Sequence, residues 1–154
     1  MLSKEERKQL NIDFWDQFKS EMRKIRSSNG KKMNWINYPT DVKNTYLRVV
    51  TESNSVSLCF DIQFKDQGVQ SIVWEQLTEL RKVLESEMEH PTQWEENKIT
   101  SEGLNIGRIS WILSGVNFYD KGQWDVIIEF LKQRMVEFDR FYQEFKEILI
   151  TLVD

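Results

Sequence analysis

Asp61, Gln63 and Lys65 alternate along a segment with a strand-like pattern, and Asp41 follows Pro39-Thr40 upstream of it. An aspartate, then an acidic residue and a lysine two positions apart, is the arrangement with which a metal-dependent nuclease holds a divalent ion and its attacking water. Position 63 carries an amide instead of the carboxylate, and a neutral amide is a poor ligand for Mg²⁺. The segment therefore reads first as the solvated face of a strand. A metal-dependent, nuclease-like enzyme built on Asp61 and Lys65 is the third of three functional readings.

A second set is basic. Arg23, Lys24, Arg26, Lys31 and Lys32 lie close together, with Lys19 along the same flank. Residues 1–32 carry nine Lys and Arg against five Asp and Glu, a balance of +4; the remainder carries twelve against twenty, a balance of −8. Such a patch can contact phosphates, and Trp35 or Tyr38 in the following loop would be placed to stack a base. Charge segregation of this kind also occurs on ordinary helices and at self-complementary dimers.

The other reactive side chains form no set. His90 is the sole histidine, ahead of Pro91, with no second His or Cys for a zinc site and no nucleophile relay. It suits the C-terminal end of a helix dipole. Cys59 reads as a small buried thiol. Glu95, Glu96 and Glu102 read as solvated acids. Glycines are scattered without a phosphate-loop spacing. No cofactor, metal site or small-molecule substrate is expected.

The elements that must position these residues follow from periodicity. Ser3 and Glu6 form a capping box opening a first helix with Leu10, Phe14, Phe18, Met22 and Ile25 as its buried stripe and Ser27-Ser28-Asn29-Gly30 as its end. The loop 31–43, with Met33, Trp35, Tyr38 and Pro39, is expected to fold back over the core. Strands are expected at 45–51 and 55–65, the second with Val56, Leu58, Phe60, Ile62 and Phe64 on one face. A second helix carries Val69, Ile72, Val73, Leu77, Leu80, Val83, Leu84 and Met88 and stops before Pro91. Two more strands, at 92–98 and 106–113, precede a long helix from Asp120 to about Leu152, capped by Asp120 with Gln123. At 1.5 Å per residue it would run about 45 Å. Phe130 and Phe141 widen its apolar stripe beyond what one neighbour covers.

Phe14-Trp15 with Phe18 on the opening helix, Trp94 early in the second strand pair, Arg108 and Ile112 beyond it, and Trp124 heading the last helix together resemble an uncharacterised prokaryotic domain-of-unknown-function family. The resemblance covers most of the chain from Asn11 onward. It implies a shared fold and no known activity. In that family the module occurs alone or as the C-terminal part of larger proteins, some with a nuclease-like N-terminal domain. That portion is a separate domain, and its activity does not carry over to this chain.

The expected fold is thus one α+β domain over residues 1–154: an antiparallel sheet of about four strands packed with three helices, in the order α-β-β-α-β-β-α. The net charge of −4 gives no general attraction for nucleic acid or anionic membrane. A single cysteine, no signal-peptide pattern and no membrane-length apolar run suggest a cytoplasmic protein. Six Trp and nine Phe are a surplus for this length. The first functional reading is therefore a non-catalytic assembly module that forms a homodimer through Phe130, Phe138, Phe141 and Phe145 of the last helix. The second is nucleic-acid binding, in a DNA-processing or defence system, through the basic cluster.

Overall fold

Alternating apolar residues make Ser55–Ile62 a strand, β2, and β-branched residues make Thr45–Glu52 its partner, β1. The computed structural model describes residues 1–154. It adds helix α1 (Lys4–Met22) before this hairpin, then α2 (Gln67–Glu79), α3 (Arg81–Glu87), β3 (Gln93–Ile99), β4 (Asn105–Ser114) and α4 (Trp124–Val153) after it. The sheet runs β1-β2-β4-β3 with every neighbouring pair antiparallel. The fold is α+β with four strands, as expected, but with four helices rather than three.

The extra helix comes from a break at Leu80. Thr78 donates its hydroxyl to the Trp74 carbonyl at 2.9 Å, a back-bond that bends helices, and Leu80 leaves helical geometry with ψ near 4°. Of the residues expected on one buried stripe, Val73, Leu77, Leu84 and Met88 are buried, whereas Ile72 and Val83 are exposed. The first helix also differs. It starts at the expected capping box of Ser3 and Glu6 but ends at Met22 instead of continuing to Ser27. The Ile25 carbonyl receives the indole N–H of Trp35 at 3.0 Å, and Ser27 and Ser28 turn toward α4. β2 stops at Ile62 rather than Lys65, because the Gln70 amide takes over both ladder positions: it donates to the Ile62 carbonyl and accepts from the Phe64 N–H.

One face of the sheet holds the core. Val56, Leu58, Phe60 and Ile62 are fully buried, in register with Leu47 on β1 and with Ile109 and Trp111 on β4. Phe138 of α4 sits at the centre, stacked on Tyr142 at 5.3 Å, with Phe60 at 5.0 Å and Trp111 at 6.0 Å. The loop 31–43 closes one side as expected, with Trp35, Tyr38 and Val42 buried. Tyr142 donates to the Thr40 carbonyl at 2.6 Å. A single 3₁₀ turn at Lys121–Gln123, capped by Asp120, leads into α4. No helix is long and apolar enough to cross a membrane.

Candidate functional site

The sheet's other face carries no helix stripe, and pairing brings polar residues together there. Tyr46, Asp61, Arg108 and Glu95 lie in one cross-strand row, and Arg48, Cys59, Ser110 and Gln93 in the next. Asp61 is fully buried. Arg108 grips it with two nitrogens, at 2.7 and 2.9 Å, and Arg48 reaches it at 2.9 Å while also donating to Gln63 at 3.2 Å. This pairing raises the Arg108 guanidinium above its ordinary range. The Arg48 guanidinium lies over the Tyr46 ring, 4.3 Å from its centroid.

Chemically, this arrangement is a closed ion cluster. Both Asp61 oxygens are occupied by cations, and two guanidiniums beside them oppose a divalent ion. Lys65 is exposed beyond the end of β2, and Asp41 pairs with Lys146 at 2.9 Å. The structure does not bring these residues into the nuclease-like arrangement. The Cys59 thiol is pushed up to about 12 by burial, so it stays protonated and unreactive at neutral pH. Arg48 and Arg108 were not paired with Asp61 at the level of the sequence, because β1–β2–β4 register decides which residues meet.

The edge of the sheet is different. The Asn44 carbonyl accepts from the Gln63 N–H at 2.7 Å, which marks that pair as hydrogen-bonded. Antiparallel pairs alternate, so Tyr46, Arg48 and Val50 bond to β2, while Leu47, Val49 and Thr51 turn their N–H and C=O groups outward. No other strand pairs with β1, and these backbone groups have no partner. A cleft of about 600 Å³ runs beside them, lined by Tyr46 to Val50 and by Trp15, Ile36, Tyr38 and Met135. Such an edge is a template for strand addition, and β1 contains neither proline nor lysine to blunt it.

The basic cluster does come together, around the turn that follows α1. Arg23, Lys24, Arg26 and Lys32 border a cleft of about 280 Å³, and a bridge between Arg26 and Lys32 closes the turn. Lys31 is exposed beside them, and Gly30 makes the turn with φ of 83°. Trp35 and Tyr38 are not available for stacking bases. Trp35 is 3% and Tyr38 7% exposed, and Tyr38 donates to Asp139 at 2.6 Å.

The aromatic residues expected to form a dimer surface are largely internal. Phe130, Phe138 and Phe141 are 8%, 0% and 2% exposed. Phe130 packs on the His90 ring at 4.9 Å, and Phe141 on Phe145 at 5.2 Å. The wide stripe is consumed by the sheet on one side and by α3 and the loops on the other. Only Phe145 keeps part of its surface, in a polar cleft with Lys82, Glu87 and Arg140. His90 is held by a 2.7 Å hydrogen bond between Nε2 and the Ile112 carbonyl.

Asp139 is a hub that sequence reading missed; its only signal is an acid beside Phe138 on an apolar helix. It is buried, and Ser27, the Ser28 N–H, Tyr38 and Gln143 all donate to it. Burial, reinforced by the Asp139 carboxylate, raises the Tyr38 hydroxyl above its ordinary range.

No curated protein matches this chain, and no solved structure does. A family model described as Domain of unknown function (DUF4268) matches residues 10–146, which is most of the chain, and the protein belongs to that family.

Proposed function

We propose that this domain is a non-catalytic assembly module that joins two copies of its chain. The observation that supports this most is the cleft along β1, where an apolar wall runs beside backbone groups without partners. The long helix supports the core of each copy instead of forming the contact. No complete catalytic set competes with this reading: Asp61 is locked between arginines, Cys59 is buried and protonated, and His90 is bonded to a backbone carbonyl. Light scattering across a dilution series tests the proposal. The expected mass is twice the 18.5 kDa of one chain at high concentration, and a single-chain mass throughout rejects it.

A second reading is supported by the basic turn, whose cations converge at the end of α1. It would contact phosphates without base stacking. Anisotropy of labelled DNA should then weaken with salt and weaken again in Arg23→Ala/Arg26→Ala. Absence of binding at low salt rejects this second reading.

A further inference from the structure

A like-charged pair is built into the turn after α1. Arg26 and Lys32 face each other across an antiparallel bridge, and on its turn side the Ser27 N–H donates to the Lys31 carbonyl at 2.9 Å. Ser27 and Lys31 are thus the hydrogen-bonded pair, and Arg26 and Lys32 fall at the next position, where opposing side chains stand closest. Like charges directly opposite each other are unfavourable, and no carboxylate relieves these two. Arg26 makes only a 3.3 Å bond to the Gly30 carbonyl. Within residues 19–32 the one ion pair joins Lys24 to Glu21 at 3.6 Å, whereas cations elsewhere find acids, as Arg81 finds Glu85 and Arg140 finds Glu87.

The turn holds the two cations in place. Gly30 has a φ of 83°, the Asn29 side chain accepts the Lys31 N–H at 2.9 Å, and Ser27 and Ser28 are tied to Asp139, whose oxygens are already taken. The cleft of about 280 Å³ beside Arg23, Arg26 and Lys32 has no acid in its wall. A second, of about 220 Å³, shares Arg23 and Met33 with it and continues to Lys19 and Asn34, again without an acid. We infer that Arg26 and Lys32, with Arg23, clamp one phosphate of a nucleic-acid backbone, and that the adjoining cleft at Lys19 takes the next. This rests on the second reading above and names its contact. Two acid-free clefts with a shared arginine fit a row of phosphates better than a single free anion. Trp35, the one aromatic residue lining either cleft, is 3% exposed, so the contact is with the backbone and blind to sequence. The balance of −8 over the rest of the chain repels phosphates there and turns this end toward them.

The test is anisotropy of a labelled duplex with the full chain across a salt series. Arg26→Ala and Lys32→Ala should each lower the slope of log K against log salt by about one, equally for two duplexes of unrelated sequence. Lys82→Ala, exposed on α3, should keep the native slope. A single strand of the same length should bind more weakly, because its charge density is lower. Lys32→Glu adds a second readout. A carboxylate facing Arg26 should raise Tm by about 2 °C at low salt while raising the dissociation constant about tenfold. A merely structural role would not trade one against the other. Binding by the native chain with an unchanged slope in both alanine variants overturns this site and leaves the second reading to another surface. So does tighter binding of the single strand, or a Tm that falls in Lys32→Glu. No binding by the native chain at low salt overturns both.

Discussion

Replacing either side of the Asp61 cluster should cost different amounts, and the asymmetry is set by burial. In Arg108→Ala the carboxylate, fully buried in the native chain, loses hydrogen bonds of 2.7 and 2.9 Å. Arg48 remains, through one nitrogen that it shares with Gln63. Breaking a buried pair from the cationic side leaves a charge without its partner, which typically costs 3–5 kcal/mol. The retained arginine, and water entering the space left by a side chain that is 16% exposed, place the expectation at about 3 kcal/mol. Asp61→Ala leaves two guanidiniums, 38% and 16% exposed, that can turn to water, so its cost should be about 1 kcal/mol. The double variant should cost about 2 kcal/mol less than the sum of the single changes. Urea unfolding at neutral pH, followed by tryptophan fluorescence, measures all three. If Asp61→Ala costs as much as Arg108→Ala, or if the two effects add, the closed-cluster account is wrong. Asp61 would then be open to another role.

Three further outcomes follow from the core. A Cβ on Gly107 would lie 2.6 Å from Cε3 of Trp74, whose ring is braced edge-on against Trp94, so Gly107→Ala should destabilise by about 2 kcal/mol in thermal unfolding; a rise in Tm would contradict this packing. Asp139→Ala strands its buried donors and should cost about 3 kcal/mol, loosening the loop 31–43, which hydrogen exchange would report. Cys59, Tyr38 and Tyr142 all hold their protons longer in the folded chain than in the unfolded one, chiefly through burial. The unfolded state therefore binds fewer protons from about pH 9 upward, and stability should fall by about 1.4 kcal/mol per pH unit for each group that has begun to ionise. Denaturation midpoints between pH 8 and 11 test the sign, and Cys59→Ala should flatten the first part of the fall.

Local signals carried much of the fold. Ser3 and Glu6 cap the first helix as their spacing implies, and Val56, Leu58, Phe60 and Ile62 of β2 face the core as their alternation implies, although Ser57, Cys59 and Asp61 opposite them are buried too and not on the solvated face expected. The long last helix also followed from its periodicity. What was hidden depends on distant partners. The burial of Asp61 needs the register of β4 against β2, and the end of α1 needs Trp35 to take the Ile25 carbonyl. An apolar stripe wide enough for a partner looks the same in sequence as one wide enough for a sheet, a third helix and a folded loop. Phe130, Phe138 and Phe141 belong to the second kind. The open edge of β1 was not legible either, because a strand's place in the sheet is a property of its neighbours.

The association of two copies is tested most directly by the mass of the native chain in solution. Light scattering coupled to size exclusion should give twice 18.5 kDa at the highest concentration, with a shift toward one chain on dilution. A mass of one chain at every concentration would contradict the account.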